Sequence, residues 1–224
     1  MRFLLISTVF PPAYIYGGPP RVTLSLAQAL QKNGHEVLVL TTNANGETEL
    51  DVPSGVETAF EDVPVIYFQR RLLKSYFYAP DLISVLRKVG PRFDIGLVKG
   101  AWTYVNLAVS STLVSMGKPF CLYPEGTLDP WAVNYHGARK RLYWSLVEKH
   151  NYLKAAGFVA ASVNEEQQLR SYGFKQPIAI VPNAAVISEN SALGDVLPEV
   201  YFSAIRGKRI LLFMARLHPQ KGLE

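Results

Sequence analysis

A single cysteine, Cys121, stands in the 224 residues, so no internal disulfide framework can form, and a reducing, cytoplasmic compartment is expected. No stretch approaches the about 20 consecutive apolar residues that a membrane span needs. The apolar opening from Phe3 to Phe10 holds Ser7 and Thr8, runs into Pro11-Pro12 and lacks a small-residue cleavage site, which is not the pattern of a secretory leader. The histidines, His35, His136, His150 and His218, stand at no metal-ligand spacing, and no metal site is predicted. The first βα turn has no G-x-G-x-x-G, and the second apolar run ends in Thr41-Thr42 with no nearby acid to hold a ribose, which excludes a dinucleotide-dependent oxidoreductase. Internal repeats and low-complexity segments are absent as well.

Acidic residues are fewer than basic ones, 18 against 23, for a formal charge of +5. That excess suits phosphate-bearing ligands or an anionic surface. No nucleic-acid-binding motif accompanies it, so no nucleic-acid partner is expected. Two basic clusters adjoin aromatics: Arg70-Arg71 with Lys74 beside Tyr76-Phe77-Tyr78, and Arg139-Lys140-Arg141 followed by Leu142, Tyr143 and Trp144. This pattern fits a lipid headgroup layer and equally an ordinary amphipathic helix, so peripheral membrane contact, at the inner face of a membrane, is one expectation. The sequence carries no signal of an oligomeric state.

What is present is a regular alternation of elements. Phe3-Leu4-Leu5-Ile6 is a short unbroken apolar run, the mark of a parallel strand buried on both faces. Pro11-Pro12 end it, and the segment from Tyr14 to Pro20, with Gly17-Gly18 and Pro19-Pro20, reads as a loop. From Arg21 the spacing of Val22, Leu26, Ala29 and Leu30 predicts a helix that stops near Asn33-Gly34. Further strands are expected from Glu36 to Thr42, Val63 to Phe68, Phe93 to Val98, Lys118 to Tyr123, Gly157 to Ala161 and Ile178 to Val181. Helices are expected from Asp81 to Val89, Thr103 to Met116 and Gly137 to Lys154, and from a Ser162/Glu165 capping box to about Tyr172. Residues 47 to 61, polar and broken by Pro53 and Gly55, read as a loop or weak excursion. The alternation predicts the α/β class, a doubly wound parallel sheet flanked by helices. That domain is assigned residues 1–187, a polar linker or hinge 188–206, and residues 207–224 the first strand, Arg209 to Met214, and loop of a second domain, so the chain looks truncated.

In open α/β sheets ligands bind outside the carboxyl ends of the strands, and a glycine pair leading into a helix leaves backbone N–H groups free for an anion. Gly17-Gly18 is therefore the first site candidate. A second loop, Pro124-Glu125-Gly126-Thr127-Leu128-Asp129-Pro130-Trp131, holds two carboxylates four apart. They mimic a glycosidase pair only loosely, because Asp129 before Pro130 is well explained as a turn or helix-entry residue. Arg216 and Lys221 place a guanidinium and an ammonium in one loop, a pair of cations able to meet an anion. Tyr14, Tyr16, Trp102 and Trp131 can stack against sugar faces, although aromatic residues as often fill a core.

Four segments together resemble the N-terminal part of a GT-B glycosyltransferase of the retaining group 1, or family 4, type. They are the opening strand with Pro11-Pro12 and Gly17-Gly18 ahead of Arg21; the Pro124 to Trp131 loop; Val181-Pro182-Asn183-Ala184; and Leu212 to Gly222 with Arg216-Leu217-His218-Pro219-Gln220-Lys221. The resemblance implies two Rossmann-like domains facing each other across a cleft, the acceptor held mainly by the first and a nucleotide-sugar donor mainly by the second. It implies a hexose moved with retention from a nucleotide-diphosphate sugar, as co-substrate and without cofactor or metal, to a saccharide or lipid-linked acceptor. Donor-phosphate contacts then fall to Gly17, Gly18, Arg216 and Lys221, and the acceptor wall to Tyr14, Tyr16, Arg21, Trp102, Asp129 and Trp131. Besides Asn183-Ala184, which replaces the commoner Asn-Gly pair, two positions depart from the family pattern. Lys99 stands where many relatives carry a histidine, and it stabilises negative charge but cannot act as a neutral hydrogen-bonding imidazole. Glu125 stands where an arginine is common, and favours hydroxyl-rich or cationic acceptors. These two are the candidate catalytic residues. A different reading is a catalytically silent acceptor-binding lobe, since donor contacts lie mostly in a second domain.

Overall fold

A computed structural model describes residues 1–129, 133, 137–183 and 202–214. It divides into two compact units, Met1–Ala184 and Ala185–Glu224. The first is built on β1 (Arg2–Ile6), β2 (Glu36–Thr42), the short pair β3 (Ala44–Asn45) and β4 (Thr48–Glu49), β5 (Glu57–Phe60), β6 (Val63–Phe68), β7 (Ile95–Lys99), β8 (Phe120–Tyr123), β9 (Gly157–Ala160) and β10 (Ile178–Ile180). Its helices are α1 (Gly18–Lys32), α2 (Asp81–Val89), α3 (Tyr104–Ser115), α4 (Gly137–Tyr143), α5 (Lys149–Leu153) and α6 (Val163–Ser171), with a π-helical turn, Trp144–Glu148, between α4 and α5.

Eight strands form one sheet in the order β10-β9-β8-β7-β1-β2-β6-β5, parallel throughout except for β5. β1 is central, with Leu4 opposite Leu38 of β2 and Gly96 of β7. Its unbroken apolar run is buried on both faces, as a parallel strand under two helix layers requires. On one face Leu4, Ile6, Val98, Leu122 and Phe158 pack with residues of α2 and α3; on the other Leu5, Val39, Val65 and Leu97 pack with Leu24 and Ala27 of α1. Each such fully buried Leu, Val, Ile or Phe contributes about 1.5–3 kcal/mol.

Two expectations need correction. The segment from Tyr14 to Pro20 is not all loop: Tyr14–Tyr16 forms a 3-10 turn and α1 begins at Gly18, with Pro19 and Pro20 inside its first turn. A first turn has no intrahelical partners for its N–H groups, so two prolines lose nothing there. Residues 47 to 61 are more than a loop, because β5 pairs antiparallel with β6 across a tight turn at Glu61-Asp62, both left-handed. The segment from Arg209 to Met214, expected as the first strand of a second domain, pairs with no strand among the described residues, and Leu211 is fully exposed. A Rossmann-type strand depends on neighbours for both hydrogen bonds and burial.

Candidate functional site

The parallel register carries the ends of β1, β7, β8 and β9 to one edge of the sheet, and the polar loops gather there. Ile95 to Val98 drives β7 into the sheet between β1 and β8, and Lys99 is taken in with it, only 2% exposed. A buried ammonium needs a counter-charge. Its Nζ lies 2.7 Å from Glu125 Oε1, with the Tyr123 ring centre 5.4 Å away. Glu125 reaches it because the chain turns sharply after β8: Glu125 (φ 53°) and Gly126 (φ 75°) are both left-handed, a conformation that glycine takes freely and glutamate does not. Burial pushes the Tyr123 hydroxyl up to about 12, with Cys121 and Glu125 adding to the rise, so it stays protonated beside the pair. A cavity of about 210 Å³ lies next to Lys99 and Tyr123, closed by Ser25 and Leu26 of α1 and by Val181-Pro182-Asn183.

Two further carboxylates hold the loops in place: Glu165, read in the sequence only as half of a capping box, and Glu148, not singled out there. Glu165 is buried and accepts from Gly126 N–H and from Ala161 N–H, each at 2.6 Å. The capping box is thus half realised: Ser162 Oγ accepts from Glu165 N–H at 3.2 Å, but the glutamate reaches the preceding residue and the β8 loop instead of closing on Ser162. The sequence signal is present but has the form of a purely local cap. Glu148 ends the π-helical turn and is fully buried; its Oε1 accepts from Trp102 N–H at 3.1 Å. Trp102, left-handed at φ 66°, in turn donates its indole N–H to Thr127 O at 2.9 Å. The sequence signal for Glu148 was its register with Trp144 and Tyr152 on the apolar helix face.

Burial pushes the Glu148 carboxyl up to about 7, against the opposing pull of the Trp102 N–H and the nearby Tyr143 hydroxyl. Between 4.5 and about 7 the folded chain keeps this proton while the unfolded chain releases it. Stability therefore falls as pH rises through that window, by about 3 kcal/mol at most, and the loss is complete above it. Glu148→Gln, which keeps an acceptor for Trp102 N–H, should flatten that part of a stability-against-pH curve measured by denaturant unfolding. A decline of the same slope in the variant would assign it to other groups.

The structure brings Lys99, Glu125 and Trp102 together, and a contact of 3.4 Å between the Thr8 and Thr103 hydroxyls ties the β1 loop to the β7 loop. Asp129 sits in the same loop as Glu125, its Oδ2 3.4 Å from Gln168 Nε2. Gly17 is left-handed at φ 80°, and Gly18 opens α1 with no atom within 4 Å of where a side chain would start. Tyr14 is exposed, with the Arg21 guanidinium 4.4 Å above its ring. Tyr16 is committed elsewhere: its hydroxyl accepts from Gly46 N–H at 2.9 Å. Trp131, Arg216 and Lys221 lie outside the described residues. Among the described residues no three His, Cys, Asp or Glu side chains gather as a metal site, and no helix is long and apolar enough to cross a membrane.

A parallel-dominated sheet under two helix layers, with its polar loops at the carboxyl edge, is the N-terminal half of a GT-B fold. The chain belongs to Glycosyltransferase Family 4, whose family model matches residues 16–188. Among solved structures it is similar to HepE of Anabaena in complex with UDP and glucose (15% identity, TM-score 0.54, covering 83% of this chain and 45% of that one). The same protein in complex with UDP-glucose gives 15% identity and TM-score 0.55, covering 83% and 44%. A sucrose-phosphate synthase of Thermosynechococcus elongatus gives 14% identity and TM-score 0.53, covering 85% of this chain and 91% of that one. At these identities the likeness is one of fold, and this chain spans somewhat under half of HepE. No curated protein matches it in sequence.

Proposed function

We propose that this chain is the acceptor half of a retaining glycosyltransferase that moves a hexose from a nucleotide-diphosphate sugar to a hydroxyl of a saccharide or lipid-linked saccharide, in the cytoplasm and at the inner face of a membrane. The observation that carries the reading is the buried Lys99–Glu125 pair at the carboxyl edge of the sheet, in a chain of a sugar-transferase family. Glu125, the more exposed partner, offers its second oxygen to an acceptor hydroxyl, and Trp102 and Asp129 flank that position. Lys99 supplies fixed positive charge in a water-poor setting, where it opposes the negative charge that leaves with the diphosphate. Gly17 and Gly18 let the start of α1 approach phosphate oxygens, and the family resemblance gives Arg216 and Lys221 a donor-phosphate role. No cofactor or metal is invoked; the nucleotide sugar is a co-substrate.

A second reading, an acceptor-binding lobe without activity of its own, is favoured by one feature: the Lys99 ammonium already spends a contact on Glu125. Transfer of labelled sugar from a nucleotide-diphosphate donor, by the chain alone and by a two-domain form, separates the two. Donor binding is checked separately. Arg216→Ala or Lys221→Ala in the two-domain form should weaken nucleotide diphosphate binding by roughly 1.5–3 kcal/mol in calorimetry. Unchanged affinity would remove those residues from the site.

A further inference from the structure

We infer that the outer face of the α4–α5 helix, together with the Arg71–Lys74 loop, is a docking surface for an anionic lipid bilayer. Leu142, Leu146 and Leu153 follow one another along the continuous helical stretch made by α4, the π-helical turn and α5. All three are exposed, and Arg141, Lys149 and Lys154 beside them are exposed too and form no ion pair among the described residues. The only acidic residue between 137 and 154 is Glu148, and it is turned fully inward. From Arg141 to Lys154 the exposed residues are three leucines, three cations, Ser145 and His150, without a single carboxylate.

A second element adds to the same surface. Leu72 and Leu73 are the tip of the loop after β6, 82% and 68% exposed. The loop is not slack: Arg70, buried at its base, donates to Gly46 O and Thr48 O, and Arg71 N–H donates to Tyr78 O at 2.8 Å. A 2.7 Å bond between the Tyr76 and Tyr143 hydroxyls fastens it to α4. Leu73 holds a left-handed backbone (φ 59°), a place where a water-facing turn would use glycine or asparagine. Two exposed leucines thus sit on a loop tied by Tyr76 to the helix that carries three more.

The spacing of the leucines decides the occupant. A protein-binding face concentrates its apolar residues and depletes lysine at the centre, whereas here cations alternate with leucines along the helix. That alternation is how a segment lies in a headgroup layer, with leucines in the acyl boundary and cations on anionic headgroups. Arg71 is paired with Asp81, and Lys74 shares Glu49 with Arg70, so most of the attraction comes from the helix. On its inner side the surface adjoins the candidate acceptor wall, because Trp102 packs on Tyr143 and Trp144. The inference deepens the transferase reading by choosing the lipid-linked acceptor, and in that respect rests on it; the docking itself does not.

The test is sedimentation of the purified chain with phosphatidylcholine vesicles containing about 30% phosphatidylglycerol, and with phosphatidylcholine alone. Binding is expected to the anionic vesicles only, and to fall steeply at roughly 0.5 M salt, where charges are screened over a few Å. Leu72→Ser with Leu73→Ser, and separately Lys149→Glu with Lys154→Glu, should each lower vesicle partitioning about tenfold. Val56→Ser, at an exposed site elsewhere, should leave it unchanged. All these positions are exposed, and unaltered circular dichroism confirms folding. Wild type left in the supernatant with anionic vesicles overturns the proposal. So does a wild-type dimer in sedimentation equilibrium that the leucine variants dissolve, which would give the face to a second copy of the chain. Vesicle binding without sugar transfer to a vesicle-borne acceptor, in the two-domain form, would sink the transferase reading and leave the docking surface standing.

Discussion

Lys99→Met should lower sugar transfer by the two-domain form about 10²–10³-fold and destabilise the chain by about 2–3 kcal/mol. Both effects follow from one contact. Methionine fills a similar volume beside Tyr123, so packing is nearly kept, but Glu125 loses the ammonium 2.7 Å away. A carboxylate stripped of its partner in a buried setting costs about 3–5 kcal/mol; Glu125 is partly exposed and water recovers some of that, hence the lower figure. The double variant Lys99→Met with Glu125→Gln removes both charges and should regain most of the stability in denaturant unfolding while recovering no transfer. Two outcomes would count against the pair. An unchanged unfolding midpoint in Lys99→Met would show that it contributes nothing to the fold, and restored transfer in the double variant would show that it contributes nothing to chemistry.

Glu165→Ala is expected to cost about 3 kcal/mol, measured by denaturant unfolding, and to release the β8 loop. The carboxylate accepts from two backbone N–H groups, Gly126 and Ala161, both short. Removing it leaves two donors in a region with little water, each worth about 1–3 kcal/mol when unpaired. Because Gly126 stands directly after Glu125, the variant should also speed amide hydrogen exchange at Gly126 and loosen the Lys99 pair. Glu165→Gln retains one acceptor oxygen and should lose about half as much. If Glu165→Ala speeds exchange only in the first turn of α6, the residue serves as a local cap, and its link to the site is wrong.

How legible the site was depended on how far each residue's partner lay along the chain. Lys99 and Glu125 were marked because each departs from a familiar pattern, yet nothing in their spacing says that they meet. They do so because β7 and β8 are neighbours in register, with Lys99 opposite Tyr123. Trp102 was marked as a sugar-stacking aromatic, and its left-handed backbone and its two hydrogen bonds to distant segments were not visible. Glu148 passed unnoticed because an acid in an amphipathic helix normally faces water. Glu165 was noticed for the wrong partner, since a capping box looks complete within four residues. Tyr16 carried an acceptor role in the sequence, and the structure places its hydroxyl on Gly46.

By itself the sequence determined the α/β class, most element positions and the strand edge at which the candidate residues gather. Apolar runs of four to six residues and three-to-four-residue periodicities act over one element at a time, and the ends of parallel strands share one edge by construction. The antiparallel turn of β5 onto β6, the pairing of Lys99 with Glu125, and the two buried carboxylates that hold Trp102 and Gly126 were decided only by tertiary structure. A buried charge or a left-handed backbone is tolerated only when distant groups converge to satisfy it, and that convergence comes from sheet order and helix packing rather than from any local pattern.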